Sequence, residues 1–230
     1  MLDVGAHIGA FSRYCLDAGA ARVVAYEPEP SNCGLFRANT ARAAAEGRVE
    51  LRQAAVADGG GDGRGDRGGG TAQLVLGKAR SDGMANTWRH ALEGLSHYKD
   101  APAAADGGSD GETRLERVEV AVAPLFGPRG ALARDADVSF VKLDCEGAEL
   151  DLLARAPRGA WRDSRVERLV FEWSFTKARE MATFRSVVAR LEEEGFDVAY
   201  EGRGSWDALE TWPWHTDALI FASRDLSFRP

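Results

Sequence analysis

The chain has 230 residues, with 29 Lys+Arg against 36 Asp+Glu and a formal net charge of −7, a size that suits one domain with its own apolar core. No stretch approaches the roughly 18 apolar residues of a membrane span. No basic-then-apolar leader opens the sequence, and the acid excess argues against a phosphate-tracking nucleic-acid binder. Cys15, Cys33 and Cys145 stand apart, so neither a disulfide scaffold nor a zinc site is indicated. A cytoplasmic protein is expected.

Leu2–Val4 reads as the tail of a buried strand. Phe11, Tyr14, Cys15 and Ala18 follow at helical spacing, and Gly19 can stop that helix. Residues 22–26 (RVVAY) form a second strand, Ser31 caps a helix carrying Leu35 and Phe36, and 49–51 is a third strand. Residues 59–70 (GGGDGRGDRGGG) hold eight of the chain's 26 glycines with nothing apolar to bury. Residues 101–113 are similar, and such composition does not offset the entropy of ordering. Between them, 71–76 suggests a short strand and 85–95 a short helix. The whole of 59–115 therefore reads as an insertion in a single domain spanning 1–230.

Strand and helix signals then resume. Residues 139–143 (SFVKL) are a fourth strand, 148–156 a helix ending before Pro157, and 168–173 (RLVFEW) a fifth strand. Phe184, Val187, Val188 and Leu191 mark an amphipathic helix that leads into a strand at 196–200. A last strand lies at 218–222. This alternation predicts a parallel α/β sheet with helices on both faces. The final two strands are joined by 201–216 without a convincing helix, which predicts antiparallel pairing.

The turn after the first strand reads Asp3-Val-Gly5-Ala-His7-Ile-Gly9. Glycines there let a ligand approach the backbone, and the helix start offers N–H groups to an anionic group. At the end of the next strand stands Glu27, whose carboxylate can accept the hydroxyls of a ribose. In a G-x-G-x-x-G count from Gly5, the second glycine falls on His7 and the third on Ala10, which argues against NAD or FAD. Asp3 would repel a pyrophosphate but attract an ammonium group. These residues favour a sulfonium nucleoside over a dinucleotide.

Three stretches, DVGAHIG at 3–9, YEPEPSN at 26–32 and VKLDCEGAEL at 141–150, are similar to blocks of the FkbM-type family of S-adenosylmethionine-dependent methyltransferases. The resemblance covers the chain apart from the Gly-rich insertion. It implies a Rossmann-like class I methyltransferase sheet of seven strands, order 3-2-1-4-5-7-6 with the last strand antiparallel. It also implies methyl transfer, usually to oxygen, on a small molecule or glycan. Asp3, Gly5, His7, Gly9, Glu27, Asp58 (closing QAAVAD at 53–58) and Asp144 are then the cofactor-binding residues. With two residues ahead of Asp3, the first strand is expected to be shortened, and Ala123-Pro124-Leu125 departs from the family pattern before strand 4.

For the chemistry, Asp144 at the end of strand 4 can orient the cofactor, act as a base or ligate a cation. A metal site with Glu172 would have two carboxylates, too few to assign, so no metal is expected. Glu146 and Glu149 suit a helix N-terminus electrostatically. His215 is the candidate basic histidine at the acceptor edge, flanked by Trp212 and Trp214, which with Trp206 can wall an acceptor pocket. A cofactor-binding but catalytically silent module is the alternative, and a nicotinamide oxidoreductase the weaker third reading.

Overall fold

A computed structural model describes residues 1–57, 70–78, 90–92, 114–133, 137–175, 178–200 and 216–225. In chain order its elements are β1 (Leu2–Val4), α1 (Ala10–Asp17), β2 (Val23–Tyr26), α2 (Pro30–Asn39), α3 (Ala41–Ala45), β3 (Val49–Arg52) and β4 (Ala55–Val56). There follow β5 (Gly70–Lys78), β6 (His90–Leu92), β7 (Arg114–Ala123), β8 (Phe140–Leu143), α4 (Ala148–Arg155) and α5 (Ala160–Asp163). The chain continues through β9 (Arg168–Phe175), α6 (Ala178–Glu193), β10 (Asp197–Tyr200) and β11 (Thr216–Ser223).

Seven strands form the large sheet in the order β10-β11-β9-β8-β1-β2-β3. Numbered among themselves, these strands run 3-2-1-4-5-7-6, as expected. β11 is antiparallel to both β9 and β10, while the other pairs are parallel. Strand periodicity sorts the side chains by face. Leu2, Val4, Val141, Leu143, Leu169, Phe171 and Ile220 enter one core with Leu152 and Leu153 of α4 and Phe184, Val187 and Leu191 of α6. On the opposite face, Val23 and Ala25 pack with Leu16 of α1 and Phe36 of α2.

Farther along that second face, Phe140, Lys142, Val170, Glu172, Leu219 and Phe221 line a groove of about 590 Å³. Its described helical wall comes from Ala10 and Phe11 of α1. Leu219 is 41% exposed there.

A second sheet, unforeseen in the sequence, has the order β4-β7-β5-β6. β5 pairs antiparallel with β7 along its full length, from Gly70↔Val122 to Lys78↔Arg114. Leu74, Leu76, Leu92 and Val120 close a small core with Ala55 and Ala57. Val56, between those alanines, turns into the main core instead. Two local expectations are corrected. Residues 90–92, expected within a helix, pair as a strand with Leu74–Leu76, because cross-strand burial overrides helix propensity. The cap of α2 is Glu29, which accepts from Asn32 N, and Pro30 occupies the first helical turn; Ser31 is already inside the helix. Residues 59–69 and 101–113 lie outside the described residues.

Candidate active site

The chain leaves β1 toward β2 and β3 on one side, while β8 and β9 lie on the other. This reversal puts a topological switch point at the carboxyl ends of β1 and β8, where open α/β sheets form crevices. The turn from β1 is tightly determined. Gly5 N and Ala6 N both donate to Tyr26 O at 3.0 Å, and Gly9 N donates to Ala6 O at 2.9 Å. Gly5, His7 and Gly9 have φ of 75°, 51° and 85°. A Cβ on Gly5 would lie 1.6 Å from the carbonyl oxygen of Asp144, and one on Gly9 would lie 2.7 Å from the Phe36 ring. The two glycines are thus required by protein packed against them: the β8–α4 turn sits directly on Gly5.

His7 is a non-glycine residue in left-handed backbone, a conformation that costs energy unless neighbours hold it. Its N–H donates to Glu27 Oε2 at 2.8 Å. Glu27 Oε1 accepts from Glu29 N at 3.0 Å and from Asn32 Nδ2 at 3.3 Å. Glu27 is 5% exposed, and burial pushes its carboxyl above the usual range against the pull of these three donors. A carboxylate has about four acceptor positions, so Oε2 retains capacity for one further donor. Asn32 Oδ1 is buried and has no hydrogen-bond partner among the described residues.

Asp3 lies deeper than its sequence position suggests. It is 0% exposed; Oδ2 accepts from Ser12 Oγ of α1 at 2.6 Å, and Oδ1 lies 3.3 Å from Lys142 Nζ. The same ammonium reaches Asp144 Oδ2 at 3.1 Å and donates to Gly5 O at 3.0 Å. It also stands 5.7 Å from the centre of the Phe11 ring, in cation–π range. Lys142 is 12% exposed and Asp144 40% exposed. Burial opposes the charge on Lys142, but Asp3 and Asp144 together hold its pKa above the ordinary lysine value. Of the carboxylates in this cluster, Asp144 is the one that reaches the edge.

Asp144 is fixed through its backbone as well, since its N–H donates to Val4 O at 3.1 Å. The turn after it passes through Glu146 and Gly147, at φ 54° and 100°. Glu149, in the first turn of α4, folds back so that its carboxylate accepts from Cys145 N and from Gly147 N, the latter at 2.7 Å. Burial pushes the Glu149 carboxyl upward, and these amides oppose the shift. Its helix-start position was legible in the sequence; its grip on the turn was not.

Asp144 and Glu172 both line the 590 Å³ groove, together with Gly5, Ala6 and His7. Among the described residues no group of three or more His, Cys, Asp or Glu is arranged to hold a metal ion. Asp58, His215, Trp206, Trp212 and Trp214 lie outside the described residues. Sequence reasoning missed Lys142 and Asn32 as partners in the site. A lysine on the central strand of a sheet needs a buried counter-charge, and that signal pointed to Asp3 and Asp144.

The family model for the methyltransferase FkbM domain matches residues 3–198. Among solved structures the chain is similar to an FkbM methyltransferase from Methylobacillus flagellatus KT, at 13% identity and TM-score 0.51, covering 96% of this chain and 42% of that one. It is also similar to precorrin-6y C5,15-methyltransferase from Geobacter metallireducens GS-15, at 14% identity and TM-score 0.40, covering 98% and 79%. At such identities the first similarity shows the fold alone, and the chain spans less than half the length of that protein. No curated protein matches the sequence.

Proposed function

The chain belongs to the FkbM methyltransferase domain family, and on that premise we propose that it transfers the methyl group of S-adenosylmethionine to an oxygen of a small molecule or glycan. The observation that carries this reading is the Glu27 carboxylate, held at the end of β2 by the amides of His7 and Glu29. Its free acceptor position and the unpartnered Asn32 Oδ1 are both acceptors, matching the donor character of ribose hydroxyls. The cluster of Asp3, Lys142 and Asp144 carries one net negative charge, which suits a cation and opposes a pyrophosphate.

When bound, the cofactor supplies an electrophilic methyl group on a positively charged sulfur. The protein then has to align the acceptor, an effect worth up to roughly 7–11 kcal/mol, and receive its proton. Asp144, exposed at the edge of β8, is the group for that proton, with a rate contribution of about 10²–10⁴. Asp58 and His215 are proposed on sequence grounds, as cofactor contact and alternative base.

A thermal-unfolding series with S-adenosylmethionine, S-adenosylhomocysteine and NAD tests the reading. A ligand at about 100 times its Kd adds roughly 2.7 kcal/mol, or about 5–11 °C for a chain of this size. The two sulfur nucleosides should raise Tm and NAD should not. Glu27→Ala should weaken their binding by about 10- to 100-fold, the loss of a charge-assisted hydrogen bond. A shift with NAD alone would sink the proposal. Release of S-adenosylhomocysteine on incubation with fractionated extract then separates an enzyme from a silent cofactor-binding module.

A further inference from the structure

The Glu27 carboxylate is held unevenly. Oε2 accepts one hydrogen bond, from His7 N at 2.8 Å, and Oε1 accepts two, from Glu29 N at 3.0 Å and Asn32 Nδ2 at 3.3 Å. Two of these donors are backbone amides, which almost any residue supplies. The third is a side chain, and its identity is not explained by packing. Asn32 is 1% exposed, and with Nδ2 turned to Glu27 its Oδ1 has no partner among the described residues. A buried acceptor left unpaired costs stability, and an apolar side chain of similar size would avoid that cost. The setting of Asn32 does explain it. α2 carries Asn32, Phe36 and Asn39 at successive turns of one face. The Phe36 ring lies 2.7 Å from the position of a Cβ on Gly9, and Asn39 Nδ2 donates to Ile8 O at 2.8 Å. The helix that supplies Asn32 therefore also backs the glycine turn, so one element holds both halves of the candidate nucleoside site.

We infer that Asn32 is a positioning residue for nucleoside binding: by filling the second acceptor place on Glu27 Oε1, it fixes the carboxylate so that the place left for a ribose hydroxyl is on Oε2. The inference rests on the S-adenosylmethionine reading above, with Glu27 as the ribose residue. Asn32 acts through Glu27 in two ways. It resists rotation of the carboxylate, which would exchange the two oxygens. It also favours the charged form. Burial pushes the Glu27 carboxyl above the usual range and the neighbouring Glu29 carboxylate adds to that, while the two amides and Asn32 pull it back. A hydroxyl donates more strongly to a carboxylate than to a carboxylic acid, so nucleoside affinity falls as pH drops through the folded-state pKa of Glu27. Without the Asn32 donor that pKa is higher, and the loss begins at higher pH. Among the described residues, the other titratable groups around Glu27 are Glu29, Cys33, His7 and Arg52. The Cys33 thiol is pushed up to about 11 and stays neutral, and the Arg52 guanidinium is turned to Glu50 and Tyr26. All four remain in place when residue 32 is substituted, so a comparison with wild type isolates the Asn32 donor.

Calorimetric titration of the full chain with S-adenosylhomocysteine, repeated between about pH 5 and 8, tests this. Asn32→Leu removes the donor and should weaken binding about tenfold near neutral pH, the lower end of what a hydrogen bond to a charged group is worth. It should also move the pH at which binding is half lost upward. In Glu27→Ala nothing is left to position. Adding Asn32→Leu there should change the Kd by less than about twofold and leave the pH profile where Glu27→Ala alone has it. Asn32→Ser, smaller and still polar, repeats the comparison if thermal unfolding shows that Asn32→Leu does not fold. Equal losses with and without the Glu27 carboxylate, or a pH profile that stays at the wild-type position, overturn the inference and leave the cofactor reading standing. If wild type binds neither S-adenosylhomocysteine nor S-adenosylmethionine, the cofactor reading falls and takes the inference with it.

Discussion

Gly5→Ala is the sharpest probe of the junction between the cofactor turn and the β8–α4 turn. The new methyl carbon would stand 1.6 Å from Asp144 O and 2.6 Å from Asp144 C, with Cys145 Cα at 3.3 Å. All three are backbone atoms, so no side chain can swing aside. The turn must move by more than an ångström. That movement strains or breaks the Asp144 N–Val4 O hydrogen bond and the Lys142–Gly5 O contact, worth about 1 and 1.5–3 kcal/mol. Left-handed backbone at φ 75° adds about 1–2 kcal/mol for an alanine. The expected loss is about 4–6 kcal/mol, or a Tm lower by about 8–24 °C. Urea unfolding followed by circular dichroism measures it directly. Gly19→Ala supplies the control: its φ is 102°, but nothing lies within 4 Å of the added carbon, so only the backbone cost of about 1–2 kcal/mol should appear. If Gly5→Ala were no worse than Gly19→Ala, the claimed overlap of the two turns would be wrong.

Two further outcomes follow from buried titratable groups. Glu149 has a folded-state pKa above its unfolded value, so the folded protein keeps that proton longer. Its contribution to stability is full below the ordinary carboxylate pKa of about 4.3 and is lost as pH rises through the raised value. Measured by urea unfolding between about pH 4.5 and 7.5, the stability of wild type relative to Glu149→Gln should decline as pH rises. A constant difference across that range would refute the assignment. Cys33 is buried, donates to Glu27 O at 3.1 Å, and has its thiol pushed up to about 11, first by burial and then by Glu27. A disulfide reagent at about pH 8 should leave it unmodified in the native protein and react after unfolding; rapid native labelling of Cys33 would contradict the described packing.

The large sheet was legible because each of its strands carries either a buried apolar run or a clear alternation. Loop 201–216 announced the antiparallel end. The second sheet was missed for a physical reason. Its main pair, β5 with β7, joins Gly70–Lys78 to Arg114–Ala123 across a long stretch, with no short turn to mark a hairpin. The alternating Val118, Val120 and Val122 carried the signal, but their partners were not adjacent in sequence. In the site, the glycines and Glu27 were visible as a pattern of spacing. The burial of Asp3 was not, because the bond to Ser12 depends on how α1 crosses the strand. Pro30 at the first turn of α2 was a readable start signal that outranks Ser31 as a marker.

The position of β1 has a consequence for how the protein is made. Its three residues sit between β2 and β8, and Lys142 on β8 lies 137 residues after the Gly5 carbonyl it holds. At roughly 5–20 residues added per second, a nascent chain waits about 7–27 s between emergence of the first strand and arrival of its second neighbour. Through that interval β1 can pair with β2 alone and presents an open edge to other chains. The central β1–β8 pairing therefore closes only after β2 and β3 have long been available, and the yield of folded protein should depend on what shields that edge in the meantime.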